Sequence, residues 1–170
     1  MSLPLQPYTG DVGRLKEVFA EYPSGVAAIG ARIEGEEILM IASSFTVGVS
    51  YVPPLCSVAI QKSSQTWPRL RSAPRIGVSA LGAGHAASVG QLASRRRAGR
   101  AAGLGILSTA GGAVLLDGAA TWLECRVAGQ HEAGDHVIVL LEVVSTGAPT
   151  GAPPLVLHRG RMHQPVLMDL

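Results

Sequence analysis

The sequence predicts a mainly β fold with a few helices, and three observations carry that reading. Leu55 to Ile60 is a short apolar run closed by Pro53-Pro54 on one side and by Gln61-Lys62-Ser63-Ser64 on the other, as expected of an interior strand. His136-Val137-Ile138-Val139-Leu140-Leu141-Glu142-Val143-Val144 is too uniformly apolar to stand half exposed, so a second strand is expected there, with one side against a partner subunit. Gly25 to Ile33 and Ile38 to Ser44 are small-residue and β-branched runs around Glu34-Gly35-Glu36-Glu37, a hairpin pattern.

Taken in order, residues 1–10 carry Pro4, Pro7 and Gly10 and read as a flexible arm. From Asp11, a candidate N-cap, the residues Val12, Leu15, Val18, Phe19 and Tyr22 recur at helical spacing until Pro23-Ser24-Gly25, predicting a short amphipathic helix that covers one end of a barrel. Thr66 to Ser72 forms a helix and Arg75 to Leu81 a strand. Gly82-Ala83-Gly84-His85-Ala86-Ala87 has the outline of a dinucleotide fingerprint, but no acidic residue stands between 99 and 116 to take a ribose hydroxyl. His85 to Arg97 has helical spacing and ends in Arg95-Arg96-Arg97 and Arg100, which reads as a solvated basic helix end; attraction of the phosphates of a pyridine nucleotide is the functional alternative. Residues 98–112 form an Ala/Gly-rich flexible loop, 119–127 a strand, 147–154 a turn-rich connection and 155–158 a last strand, with 163–170 a tail.

The 170 residues suit one domain over 1–170. With 47% hydrophobic and 15% charged residues, the chain is apolar for a monomer, so a homodimer is expected. No apolar run approaches the roughly 18 residues of a membrane span and no signal pattern opens the chain, so a cytoplasmic protein is expected. A net charge of +2 and few aromatics argue against nucleic acid. Cys56 and Cys125 lie in strand-like segments without a CxxC partner and read as buried free thiols. His131 and His136 are five apart across a Gly, which the helical two-histidine zinc motif does not allow, so no metal site is expected. No Gly-x-Ser-x-Gly elbow supports a serine hydrolase.

Lys62, Ser63, Ser64 and Thr66 place one cation and three hydroxyls before Trp67-Pro68, at an expected helix start where unpaired N–H groups favour an anion. On the residues alone, a phosphate site and ordinary N-capping are both open. Ala42-Ser43-Ser44-Phe45-Thr46, then Pro53-Pro54-Leu55, then Lys62-Ser63-Ser64-x-Thr66-Trp67-Pro68 resembles the flavin reductase-like family with an FMN-binding split barrel. Gly134-Asp135-His136 before an apolar strand, and Pro154 to Arg161, resemble it too, so the likeness spans roughly residues 18 to 162.

The resemblance implies a split β-barrel of Greek-key type and an NAD(P)H:flavin oxidoreductase that supplies reduced flavin to a separate flavin-dependent monooxygenase. It implies FMN, or FAD, as the flavin and NADH or NADPH as co-substrate. By the same resemblance Ser43, Ser44, Phe45, Thr46 and Ser50 contact the flavin ring, Lys62, Ser63, Ser64 and Thr66 hold its phosphate, Gln61 binds the cofactor beside them, His136 is the active-site histidine, and His158, Arg159 and Arg161 contact the nucleotide. The chain departs from the family spelling at Val47-Gly48-Val49, one residue longer than the common Phe-Thr-Ser-Val-Ser, and at Met162, where an aromatic is usual. A flavin-binding electron-transfer module without nucleotide reductase activity is the competing expectation.

Overall fold

The computed structural model describes residues 5–96 and 99–166; the expectations placed on residues 1–4, on Arg97 and Ala98 and on residues 167–170 lie outside them. Helix α1 (Val12–Ala20) starts where Asp11 accepts a hydrogen bond from the Arg14 N–H at 3.1 Å. Strand β1 (Ser24–Gly25) follows, then the hairpin of β2 (Ala27–Ile33) and β3 (Glu36–Ala42). Its turn is two residues, Glu34 at φ 51° and Gly35 at φ 82°, so Ile33 faces Glu36. A turn with both central residues left-handed matches the twist of the flanking strands.

An edge strand β4 (Thr46–Tyr51) pairs with β5 (Pro54–Gln61), and the short helix α2 (Trp67–Leu70) leads to β6 (Ile76–Ala80). A 3₁₀ turn (Ala83–Ser88) runs into α3 (Val89–Leu92), and a small hairpin joins β7 (Ile106–Ser108) to β8 (Val114–Leu116). The long hairpin of β9 (Thr121–Ala133) and β10 (His136–Thr146) comes next, then β11 (Val156–His158) and β12 (Arg161–His163). Seven strands form one antiparallel sheet in the order β3-β2-β6-β9-β10-β5-β4, while β1-β11-β12 form a separate one.

The sheet curls because strands near its two ends feed a single core. Ile29 and Ile38 of β2 and β3, Val58 and Ile60 of β5, Val78 of β6, Cys125 of β9, and Val139 and Leu141 of β10 are buried in one cluster. On β5 this takes every second residue, the period of a strand with one face inward. The small-residue strand β2 is buried on both faces, and its other face lies under α3 and β8, which supply Leu92, Val114 and Leu116. That layer needs Gly77: a Cβ there would sit 2.1 Å from the Val114 carbonyl oxygen. Apolar burial of this extent is the main term holding such a fold together.

The structure corrects several expectations. Residues 46–51 are an edge strand, not loop, and the Val47-Gly48-Val49 departure falls on the register shift between Thr46 and Ser50, with Gly48 at φ 71°. Residues 99–112 are turns and the strand β7, because Ala101, Leu104 and Ile106 pack on the second core. The expected last strand is itself a hairpin, since Arg159 at φ 49° and Gly160 at φ 70° turn the chain back into β12. The helix expected to begin at His85 ends as α at Leu92, and β6 lies antiparallel between β2 and β9, so the Gly82-x-Gly84 pattern belongs to no parallel crossover. Helix α1 buries none of its residues, and Val18, Phe19 and Tyr22 are exposed; it is tied down at its C-terminal end, where the Arg159 N–H donates to the Ala20 carbonyl and its guanidinium binds Glu21. Among the described residues it therefore caps no barrel end.

Candidate active site

Strand β5 is the spine of the site. On its outer side the β4 ladder ends at the Thr46–Ser57 pair, and the Ser44 hydroxyl takes the next ladder position: it accepts from the Ala59 N–H at 3.2 Å and donates to the Ala59 carbonyl at 2.8 Å. One side chain thus does the pairing a strand would do and pins the 43–46 loop beside β5. On the inner side His136 lies opposite Gln61 in the β10–β5 register, and the Lys62 N–H donates to the Asp135 carbonyl at 3.0 Å. The chain then folds back: the Ser64 N–H donates to the Gln61 carbonyl at 2.9 Å, and the Ser64 hydroxyl accepts from the Trp67 N–H at 3.2 Å.

These loops wall a cleft of about 710 Å³, within the range of small-molecule sites. Ser43, Ser44, Gln61, Ser63, Ser64, Thr66 and His136 line it, so the structure brings seven of the expected residues together. Met40 and Ala42 add an apolar wall, and Arg95 and Arg100 add two guanidiniums. Among the described residues its lining contains no Asp or Glu. Two cations and a row of hydroxyls without a carboxylate make a field that favours an anion.

Hydroxyl bookkeeping shows which groups can serve a ligand. A hydroxyl has one hydrogen and two lone pairs. Ser44 has given its hydrogen to Ala59, so its role is structural. Ser64 and Thr66 spend only lone pairs, on the Trp67 N–H and on an Arg100 N–H at 3.2 Å, and each keeps its hydrogen to donate. Arg100 is the best-anchored cation of the wall, bonded also to the Leu39 carbonyl at 2.8 Å and, through Nε and Nη2, to the Ser94 carbonyl.

His136 opens β10 after the Gly134-Asp135 turn, with its Nδ1 2.7 Å from the Asp135 carboxylate. That hydrogen bond holds the Asp135 carboxyl below its ordinary value. In the neutral imidazole a carboxylate on Nδ1 keeps the hydrogen there and leaves Nε2 as the accepting nitrogen.

The remaining expected residues lie elsewhere. Lys62 lies outside the cleft lining: its ammonium pairs with Glu132 of β9 and lines a neighbouring, smaller cleft, because the turn after Gln61 points the side chain toward β9. The helix-start argument weakens as well, since α2 is four residues long and Ser64 already occupies the Trp67 N–H. Phe45 packs on the first core; Thr46 and Ser50 belong to β4 and are not in the lining. His158, Arg159 and Arg161 lie on or beside β11 and β12, away from the cleft, with Arg159 held to Glu21 at 2.7 Å and the His158 ring 5.9 Å from that of His163. Arg95 and Arg100, which the sequence places at a solvated basic helix end, line the cleft instead. The available signal was the run itself, four arginines in six residues just after a helix.

Among the described residues no helix is long and apolar enough to cross a membrane, and no group of three or more His, Cys, Asp or Glu is placed to hold a metal ion. Cys56 and Cys125 are free and buried, as expected.

Comparison with known proteins agrees with this geometry. Residues 19–165 match the family model described as "Flavin reductase like domain". The actinorhodin polyketide dimerase of Streptomyces coelicolor is 35% identical over 146 residues, 86% of this chain and 82% of that protein. The reductase component of 4-hydroxyphenylacetate 3-monooxygenase from Thermus thermophilus is 34% identical, over 83% of this chain and 88% of its own. Among solved structures, the Streptomyces globisporus C-1027 NADH:FAD oxidoreductase in complex with NAD and FAD fragments superposes with a TM-score of 0.87 at 28% identity, covering 95% of this chain and 97% of that one. The matched span takes in the hydroxyl loops, the β9–β10 hairpin and the cleft they wall, and on that ground the chain belongs to the flavin reductase-like domain family.

Proposed function

We propose that this protein is an NAD(P)H-dependent flavin reductase that supplies reduced flavin to a separate flavin-dependent monooxygenase. The observation that carries it is the composition of the cleft: hydroxyl donors and two guanidiniums, no carboxylate among its described lining, and a volume suited to a flavin nucleotide. This donor set fits a ligand with a planar ring and a phosphate tail. A bound flavin nucleotide supplies a two-electron acceptor for hydride from a nicotinamide nucleotide.

What the chain's own residues contribute is positioning. Ser44, fixed on Ala59, keeps the 43–46 loop at a set height beside β5. Ser64 and Thr66 donate to phosphate oxygens, with Arg95 and Arg100 supplying the positive field. His136, its tautomer set by Asp135, orients the nicotinamide with an accepting Nε2. Hydride transfer needs close, aligned reactants more than an acid or base, and a cleft with one histidine is adequate for it. FMN is the preferred flavin in this reading and FAD the alternative; NADH and NADPH both remain substrates to be tried. The protein is taken to be cytoplasmic and homodimeric, and the exposed Val18, Phe19 and Tyr22 of and just after α1, with Val47, Val49 and Tyr51 of β4, support a dimer as apolar surface that a partner would cover.

An anaerobic titration of the protein with FMN by NADH, then NADPH, tests the proposal. Catalytic bleaching of the oxidised flavin band is expected. Tight flavin binding without bleaching by either nucleotide would replace it with the electron-transfer module.

A further inference from the structure

Gln91 of α3 reaches across to the turn carrying Arg100. Its amide nitrogen lies 3.0 Å from the Gly99 carbonyl, 3.0 Å from that of Arg100 and 2.8 Å from that of Ala102, so its two hydrogens are shared among three backbone acceptors of a single turn. Such convergence fixes the turn's orientation relative to α3. Arg100 leaves that turn and ties three segments together: the Ser94 carbonyl, the Leu39 carbonyl on β3, and the Thr66 hydroxyl in the cleft. Thr66 is 5% exposed yet lines the cleft, and because its oxygen accepts from Arg100 its own hydrogen must point away from that guanidinium.

We infer that Gln91 and Arg100 are positioning residues for phosphate selection: Gln91 holds the 99–102 turn, the turn aims Arg100, and Arg100 orients the Thr66 hydroxyl as a donor toward an anionic oxygen in the cleft. The inference rests on the flavin-nucleotide reading of that cleft and goes beyond it, because it assigns the preference for a phosphorylated flavin over the phosphate-free one to a relay that starts outside the lining. Lysine cannot substitute for Arg100, since a single ammonium cannot bond Ser94, Leu39 and Thr66 from one planar fork.

The test measures dissociation constants for FMN and for riboflavin by flavin fluorescence in wild type, Arg100→Lys, Gln91→Leu, the double variant and Thr66→Val, with thermal unfolding as a fold control. FMN affinity is expected to fall about tenfold in Arg100→Lys and in Thr66→Val, the loss expected for a hydrogen bond to a charged group, while riboflavin affinity stays within about twofold. Gln91→Leu should shift the FMN-to-riboflavin ratio in the same direction, and the double variant should be no worse than Arg100→Lys, as residues acting in series require. Equal weakening of both ligands, or additive losses in the double variant, would overturn the relay. Thr66→Val keeps the test decisive should the Arg100 variant fail to fold. Wild type that binds FMN and riboflavin equally well would sink this inference and leave the flavin reading standing, whereas wild type that binds neither would sink the reading itself.

Discussion

Replacing Ser44 with Ala tests whether one hydroxyl holds the wall of the site. Its two bonds to Ala59, at 2.8 Å and 3.2 Å, continue the sheet where β4 has stopped pairing. A neutral intramolecular hydrogen bond contributes about 0.5–1.5 kcal/mol net, and because this site is exposed, water takes over part of the lost bonding, so about 1–1.5 kcal/mol in total is expected. With a urea slope of about 2–3 kcal/mol/M for a domain this size, the midpoint should fall by about 0.5 M. Loosening also means that the 43–46 loop must be ordered on binding, and FMN affinity should drop roughly three- to tenfold, a modest fraction of the entropy of fixing a few residues. Urea titration followed by tryptophan fluorescence, with flavin titration on the same samples, reads both effects; Ser44→Thr should restore most of each. A Ser44→Ala protein with a midpoint within about 0.1 M of wild type and unchanged FMN affinity would refute the ladder argument.

Three further outcomes are expected. Lys62→Met should leave FMN affinity within about threefold, because an exposed pair such as Lys62–Glu132 is worth little and the ammonium does not line the cleft, while Arg95→Met should weaken it about tenfold; the reverse order in a fluorescence titration would show that Lys62 leaves Glu132 for the ligand. His136→Ala should bind flavin nearly as wild type but be reduced more slowly by the nucleotide in stopped-flow absorbance, and equal rates would make this histidine structural. Burial pushes the Cys125 thiol from 9.0 up to about 12, so the folded thiol keeps a proton that the unfolded one loses. Its stabilising contribution is complete below about pH 9 and declines as the pH rises toward 12; Cys125→Ala should flatten that alkaline decline in urea midpoints, and parallel curves for the two proteins would exclude the effect.

The limits of legibility follow from range. Apolar alternation, Pro-Pro and Glu-Gly punctuation and hydroxyl-rich loops act over a few residues, which is why β5, the β2–β3 hairpin, strands at β9 and β10 and the seven expected residues of the cleft are legible in the sequence. Helix α1 shows where that reasoning stops: its amphipathic spacing is real, but spacing does not say which surface receives the stripe, and none among the described residues buries it. Lys62 and Arg100 show it for charge. Both are cations in expected loops, and only the packing of distant segments decides that one meets Glu132 on β9 while the other reaches Thr66 and the Leu39 carbonyl.

The sequence by itself therefore determined the β class, the spine strand and the hydroxyl loops at its two ends, since each depends on local periodicity and turn chemistry. Only the tertiary structure decided that β10 pairs with β5, setting His136 opposite Gln61, and that a turn held by Gln91 brings a guanidinium to the cleft. Those placements come from contacts between segments distant along the chain, where the energy of burying β2 on both faces and curling the sheet outweighs any preference written into a short stretch.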